Sequence, residues 1–218
     1  MIFFPSLEGN SWSQSSCRIP SIDHSILKSL IHKRIVCNLT LSLIDTIIDH
    51  SNPQVCVFEY FPGDDLFTPF ERRRGLPIGN LTSQFFANYY LNPLDHFVKE
   101  KLKCQGYIRY VDDCVLFSNS KSELRNWKRN IADFLEHFRL RLHPDRCQIY
   151  PVKNSSRFLG QAIFRTHRRL CSKNVRKFKK RIYIWQEYPC ENIQQRVASW
   201  IGHARQADTF CLLKSLGL

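Results

Sequence analysis

Apolar residues recur at helical spacing in two stretches near the start of the chain. Ser21 is predicted to cap the first helix, and Asn52-Pro53 closes the second. In both stretches the apolar residues form a stripe that is broad enough to bury one face of an amphipathic helix. The apolar positions are Ile26, Leu27, Leu30, Ile31 and Ile35 in the first helix, and Leu43, Ile44, Ile47 and Ile48 in the second.

The middle of the chain predicts two more helices with a β-hairpin between them. Residues 82–103 form an aromatic-rich helix, in which Pro93 should cause a kink or a break because its ring removes one backbone hydrogen bond. Residues 107–118 hold two β-rich runs around a turn, and Ser122 is predicted to cap the helix that follows. That helix buries Leu124, Trp127, Ile131, Phe134, Leu135 and Phe138.

Strand-like stretches at 147–152 and 157–164 complete a mixture of helices and antiparallel strands. The predicted fold class is therefore α+β. Residues 1–20 lack a periodic pattern and are predicted as an irregular or unrelated lead-in to a core that spans 21–165.

The composition changes near residue 165. Nine of the seventeen residues from Arg165 to Arg181 are Lys or Arg. This change predicts a boundary near 166–174, with a basic linker and further helices over 166–218.

The charge of the whole chain narrows the class of partner. A net charge of +13 and a pI near 9.5 indicate a polyanionic partner, either nucleic acid or an acidic membrane surface. The sequence contains no run of about 18 apolar residues, so no membrane span is expected. The nine cysteines are odd in number and form no C-x-x-C pair, so reduced core thiols and a cytoplasmic location are expected.

Two adjacent acids, Asp112 and Asp113, stand where the predicted hairpin reverses. Neighbouring carboxylates repel each other, and a divalent cation supplies the counter-charge that keeps both ionised. Mg²⁺ prefers one or two carboxylates together with substrate phosphates and water, which suits phosphoryl transfer. Since Asp is common in turns, the pair alone is equally consistent with a turn that has no chemical role.

A Gly-x-Pro-x-Gly loop, residues 75–79, follows three arginines and precedes the aromatic-rich helix. Glycines permit close approach of backbone to a polyanion, and arginines contact phosphates. Alone, this loop is a weak sign of function.

Together, these motifs resemble the reverse transcriptases of bacterial retroelements. The resemblance lies in the segment from Gly75 to Leu91, followed about twenty residues later by Tyr110-Val111-Asp112-Asp113. Ser83-Gln84 with Asn88 and Leu91 is closer to the diversity-generating-retroelement branch than to the group II intron branch. Further matching stretches bring the resemblance to about residues 21–218, and they are Leu140–Asp145, Arg157–Gly160 and Ala198–His203.

The resemblance implies an RNA-directed DNA polymerase whose palm is an antiparallel sheet backed by helices, with a small helical thumb-like C-terminal region. Two Mg²⁺ ions would bind at Asp112 and Asp113, the catalytic pair, and Asp112 is the stronger candidate. The implied partners are an RNA template, a DNA primer and deoxynucleoside triphosphates. The resemblance also allows an accessory protein and implies no membrane partner.

The remaining site residues also come from the resemblance. Template and nucleotide would contact Arg74, Gly75, Leu76, Pro77, Ile78, Gly79, Ser83 and Gln84. The primer end would lie near Tyr110, Phe158, Leu159 and Gly160. The nucleic-acid backbone would follow Arg165, Arg168, Arg169, Lys173, Arg176, Lys177, Lys179, Lys180 and Arg181. Many relatives in other branches carry Gln at the position of Ile78, so looser nucleotide selection is expected here.

One family feature is missing from the sequence. The family places a third carboxylate on the palm strand before the helix that starts near Asp23, and that position falls at Gln14. Two expected aromatic positions fall at Arg18 and Ile19, and Glu8 is the only acid upstream. Asp23 itself is explained as stabilising the helix start.

These departures suggest that residues 1–20 are joined to the family sequence by truncation or a frameshift, with the fingers largely missing. Two hypotheses follow: a polymerase by family, or a catalytically inactive nucleic-acid-binding remnant. A membrane-surface protein would explain the charge but neither motif.

Overall fold

The computed structural model describes residues 2–4, 18–50, 59–77, 81–143, 147–152, 155–188 and 191–217. The chain forms two compact units, Met1–Ile149 and Tyr150–Leu218. Helices and small antiparallel sheets occur together, which confirms the α+β class. The proposed division into a core at 21–165 and a basic C-terminal region remains a prediction.

The first unit contains most of the strands and helices. They are β1 (Ile2–Phe4), β2 (Arg18–Asp23), α1 (His24–His32), α2 (Asn38–Asp49), α3 (Thr68–Glu71), β3 (Arg74–Pro77), α4 (Leu81–His96), a π-helical turn (Phe97–Lys101), β4 (Gly106–Tyr110), β5 (Asp113–Phe117), α5 (Lys121–His137) and β6 (Gln148–Ile149).

The second unit is smaller. It contains β7 (Ser156–Phe158), β8 (Gln161–Ile163), β9 (Arg168–Leu170), α6 (Ser172–Glu187), α7 (Ile193–Ala204) and α8 (Phe210–Ser215). Strands β7, β8 and β9 form an antiparallel sheet in chain order. The sequence pattern did not predict β9, because three residues that include two arginines show no apolar alternation.

The main sheet of the first unit has the strand order β4-β5-β1-β6, and each neighbouring pair is antiparallel. Strand β1 therefore lies between β5 and β6. The prediction of an irregular lead-in is wrong for residues 2–4 and 18–20, which lie in β1 and β2. Both runs are too short to show a period before residue 21. Residues 5–17 lie outside the described residues.

The predicted helices are present, but two of their caps are corrected. Asp23, and not Ser21, caps α1, and its Oδ1 accepts hydrogen bonds from the backbone N–H groups of Ser25 at 2.9 Å and Ile26 at 3.2 Å. The predicted stabilisation of the helix start by Asp23 is thus confirmed. Ser120 caps α5 in place of Ser122 through a bond from the Glu123 N–H.

Helix α4 is continuous through Pro93, so the chain is not divided there, and a π-helical turn follows its end. This helix is central to the core and meets α5, where the rings of Phe97 and Phe134 stack with centroids 4.2 Å apart. The predicted buried stripe of α2 is corrected, because Leu43 and Ile47 are exposed and only Ile48 is fully buried. None of the helices in the described ranges is long and apolar enough to cross a membrane.

Four charged side chains form a buried network near the start of α1. The side chains of Asp23, Asp64 and Arg72 are 2–4% exposed, and that of Arg139 is 29% exposed. Arg72 pairs with both carboxylates, and its Nε lies 3.4 Å from Oδ2 of Asp23. Arg139 donates from Nη1 to the same oxygen at 2.7 Å. The network thereby joins the β2–α1 junction to the segments that follow α3 and α5.

Burial works to raise the pKa of Asp23, but hydrogen bonds from Ser25 and Arg139 outweigh it, and the pKa lies below the ordinary value of 3.8. Folding therefore favours the charged carboxylate. Its contribution to stability is present above about pH 4 and is lost as the pH falls through the lower folded-state pKa.

We predict that Arg72→Met destabilises the fold by roughly 3–5 kcal/mol, because it removes the buried cation that pairs with both Asp23 and Asp64 and leaves them only the partly exposed Arg139. Arg73→Met is the matched control, since Arg73 is the next arginine in the chain and its side chain is 55% exposed. It should cost less than about 1 kcal/mol. Urea unfolding at neutral pH measures both, and equal losses of stability would contradict the importance of the network. The difference between the two variants should shrink as the pH is lowered below about 4.

Candidate functional site

The two acids of interest lie in a tight hairpin, as predicted. Tyr110 pairs with Asp113 across β4 and β5, so Val111 and Asp112 are the two turn residues. Val111 has a φ of 56°, in the left-handed region. A β-branched residue is rarely found there, because its side chain collides with the backbone. The turn therefore holds a strained backbone directly beside the carboxylates.

The two faces of the hairpin differ in exposure. Residues directly opposite each other on paired strands project to the same side, so Asp113 shares its face with Tyr110. On that face the exposed fractions are 57% for Tyr110, 54% for Ile108 and 39% for Phe117, whereas Val115, which pairs with Ile108, is buried. Cys114 and Leu116 project to the other side and are buried. The carboxylate of Asp113 thus lies on the more exposed side of the hairpin.

Asp95 of α4 fixes the hairpin from its more buried side. Its carboxylate accepts a bidentate pair of hydrogen bonds from Arg109, with Nε to Oδ1 at 2.7 Å, and a bond from the Tyr107 hydroxyl at 2.7 Å. Arg109 also donates from Nη1 to Asn88 Oδ1 at 3.0 Å and to the Val111 carbonyl at 2.7 Å. One guanidinium therefore connects the helix to the strained turn.

The electrostatics of this network keep its members in fixed protonation states. Burial raises the pKa of Tyr107, and the nearby Cys114 and the hydrogen bond to Asp95 add to the shift. Burial works to lower the pKa of Arg109, but the bond to Asp95 outweighs it and the pKa is raised. Tyr107 is thus a neutral donor and Arg109 a cation throughout the working range of pH.

Asp112 and Asp113 offer carboxylate oxygens that suit Mg²⁺, but two side chains supply only part of the ligands that the ion needs. Among the residues that the structure describes, no group of three or more His, Cys, Asp or Glu side chains could hold a metal ion. Asp112 and Asp113 can therefore fit a metal that takes its other ligands from water and substrate phosphates, which is the ordinary behaviour of Mg²⁺.

The first three residues of the Gly/Pro loop, 75–77, belong to β3, and α4 begins at Leu81. Gly75 has a φ of 90°, and its carbonyl accepts a hydrogen bond from Nε2 of His24 at 2.8 Å. Leu76 and Ser83 are buried, and Gln84 is exposed. The side chain of Arg74 is mostly buried, with Nη1 3.8 Å from Glu59.

Part of the predicted nucleotide pocket is not described. Ile78 and Gly79 lie outside the described residues, and Pro77 is described by its backbone alone. Helix α4 links the loop to the hairpin, because it starts at Leu81 and reaches Arg109 through Asn88 and Asp95.

The remaining predicted residues lie in the second unit. Leu159 and Gly160 have φ angles of 49° and 78° and form the two-residue turn between β7 and β8, directly after Phe158. The Gly160 carbonyl accepts a bond from Asn174 Nδ2 at 3.2 Å. Their place near a primer end stays a prediction. The basic side chains of α6 are exposed, and they are Lys173, Arg176, Lys177, Lys179, Lys180 and Arg181. Arg165, Arg168 and Arg169, which precede the helix, are exposed as well.

The two units differ sharply in charge. Residues 150–218 contain 14 Lys and Arg against 3 Asp and Glu, whereas residues 1–149 contain 18 against 16. The carboxylate hairpin is therefore in a nearly neutral unit, and most of the excess positive charge is in the other.

Sequence reasoning did not find Asp95 or the hydrogen-bonding roles of Asn88 and Arg109. The signal available was weak: an acid on a helix and an arginine one residue before the hairpin tyrosine. The Asp95–Arg109 pair spans 14 residues and depends on how α4 packs on the sheet, so no local pattern reveals it.

The fold and the site define a class of protein: an α+β domain that presents paired carboxylates on the more exposed face of a hairpin in a helix-backed sheet. A family model described as reverse transcriptase (RNA-dependent DNA polymerase) matches residues 20–163, which is 144 of the 218 residues. The chain belongs to the reverse transcriptase family. A comparison with curated proteins gives no significant match.

We predict that Arg109→Lys loosens the hairpin, because a lysine cannot replace the bidentate pair with Asp95 or reach the Val111 carbonyl at the same time. The expected loss of stability is about 1.5–3 kcal/mol, with faster hydrogen exchange at the Asp112 and Asp113 amides. Arg125→Lys on the exposed face of α5 is the control. If both variants unfold at the same urea concentration and exchange alike, Arg109 has no such role.

Proposed function

We propose that this chain is the palm of an RNA-directed DNA polymerase of the bacterial retroelement type, close to the diversity-generating branch. The observation that supports it best is the hairpin, which holds Asp112 and Asp113 at a strained turn beside its more exposed face. In this proposal, the sheet with α4 and α5 is the palm, and the helices of the second unit are the thumb.

The side chains of the hairpin would divide the work. Asp112, in the turn, and Asp113, on the more exposed face, would hold two Mg²⁺ ions together with the phosphates of an incoming deoxynucleoside triphosphate. Bound metal would activate the primer 3′-hydroxyl and stabilise the departing pyrophosphate. The exposed rings of Tyr110 and Phe117 and the side chain of Ile108 would give the primer end an apolar surface beside the carboxylates.

Arg109 would act as a positioning residue. It bonds the Val111 carbonyl, so the turn cannot relax toward an ordinary conformation without breaking that bond. Asn88, one of the residues that carry the resemblance to the diversity-generating branch, accepts from the same guanidinium.

A second candidate function follows from the strand beside the hairpin. In register, Phe4 pairs with Cys114, one residue from Asp113, and β1 contains only Ile2, Phe3 and Phe4. The strand therefore contributes no third carboxylate to the site. The position expected for that acid, Gln14, lies outside the described residues. A family member with two of three carboxylates would bind template and primer but extend them poorly.

We predict that the purified 218-residue chain shows little or no templated primer extension with Mg²⁺ and deoxynucleoside triphosphates, because two carboxylates alone do not fix both metal ions. Extension of an RNA-templated DNA primer, followed on a denaturing gel, measures it. Extension that Asp112→Ala abolishes would refute the hypothesis of an inactive remnant and establish the polymerase.

We also predict binding of an RNA–DNA duplex whose affinity falls steeply with salt, because the excess cations lie in the second unit. Lys177→Ala with Lys180→Ala should lower the slope of log affinity against log salt by up to about 1.8, at about 0.9 for each phosphate that is no longer neutralised. Lys121→Ala with Arg125→Ala removes the same charge from α5 of the first unit and should leave the slope nearly unchanged. Equal slopes for the two double variants would contradict this assignment.

A further inference from the structure

A groove runs between α6 and α7 in the second unit, and most of that unit lies beyond the residues that match the reverse transcriptase model. Its volume is about 670 Å³, within the range of roughly 300–1,000 Å³ that is usual for pockets that take small ligands. Among the residues that the structure describes, its lining is mainly aromatic and cationic and includes no Asp or Glu.

The wall of the groove is a rigid aromatic cluster. Phe178 of α6 is buried and stacks on Trp200 of α7, with ring centroids 3.6 Å apart and planes 5° apart. The rings of Trp185 and Phe178 are nearly perpendicular, with centroids 6.5 Å apart and an angle of 81° between the planes. Trp185 is only partly buried, so part of its ring is available to the groove. Such a ring stays in place without a ligand, which reduces the entropy lost on binding.

Two arginines stand at the edges of the groove. Arg196 of α7 places its guanidinium over the Trp185 ring at 6.0 Å, and Arg181 of α6 is exposed on the other side. A guanidinium can pair with a phosphate or stack on a base. His203 and Gln195 add polar atoms that can bond the edge of a base.

We propose that this groove binds an unpaired nucleotide of a nucleic-acid strand, with the base against Trp185 and the flanking phosphates at Arg181 and Arg196. Aromatic rings that alternate with cations are typical of single-strand recognition, since every base has a π face that can stack. A base inside a duplex has no free face to offer. An acidic peptide would satisfy the arginines and leave the aromatic wall unused.

This site goes beyond the proposed polymerase function. It lies in the unit that lacks the carboxylate hairpin, and it requires neither metal nor deoxynucleoside triphosphate. Loss of primer extension would leave it untouched, and its own failure would leave the hairpin untouched.

The first test uses the unaltered chain. A fluorescein-labelled single-stranded RNA of about 12 nucleotides, within the usual site size of single-strand binders, is compared by anisotropy with a strand of equal charge in which the central bases are abasic. We expect the abasic strand to bind roughly 5- to 150-fold more weakly, the range typical of one base stacked on an aromatic ring. Equal affinities would overturn the proposal. Competition by poly-glutamate of the same charge as effective as that by the RNA would overturn it in favour of an acidic ligand.

The second test uses matched variants. Trp185→Leu should weaken binding of the single strand by roughly the same 5- to 150-fold and change that of a blunt duplex by less than about 2-fold. Arg196→Ala should also weaken the single strand more than the duplex, whereas Arg205→Ala, at the exposed end of α7, should weaken both alike. Circular dichroism checks that each variant folds. If Trp185→Leu does not fold, the Arg196 and Arg205 pair and the abasic strand decide the matter. Equal effects on single strand and duplex for Arg196→Ala would reject the groove.

Discussion

The carboxylate of Asp95 holds the hairpin that contains Asp112 and Asp113 in place. It accepts hydrogen bonds from Nε and Nη2 of Arg109 and from the hydroxyl of Tyr107. Arg109 in turn donates from Nη1 to the carbonyl of Val111. The burial of α4 in the core fixes Asp95, and Asp95 then fixes the arginine. A turn with a β-branched residue at positive φ is unfavourable by itself and persists because this network surrounds it. The placement of Asp112 and Asp113 therefore depends on the packing of a helix.

Charge is distributed unevenly between the two units of the chain. The first unit balances its charges, and its acids are paired in networks such as that of Asp23 and Asp64 with Arg72 and Arg139. The second unit carries the unbalanced cations on α6 and before it. In the proposed function, attraction to a polyanion and chemistry on it would fall to different units. Under the second candidate function, this division would let a chain with two hairpin carboxylates and no acid on β1 bind nucleic acid without extending a primer.

The sequence predicted the features that depend on neighbouring residues. The hairpin, the helices α1, α4 and α5 and the α+β class follow from local periods and from a short turn. The caps were displaced by two residues, because Ser and Asp occur together and only hydrogen-bond geometry selects Asp23 and Ser120. Strand β1 was not predicted, because a run of three residues is too short to show a period. The exposure of Leu43 on α2 and the Asp95–Arg109 pair are set by tertiary packing, which no local pattern contains.

The hairpin carboxylates are proposed to bind divalent metal together with nucleotide phosphates, and every catalytic role given to the chain depends on that property. Paramagnetic broadening by Mn²⁺ of the backbone amide signals of residues 111–114 tests it most directly. We expect strong broadening when a deoxynucleoside triphosphate is present, weak broadening without it, and none in a folded Asp112→Asn, Asp113→Asn double variant. Broadening elsewhere in the chain that leaves residues 111–114 sharp, or equal broadening in the double variant, would contradict metal binding at the hairpin.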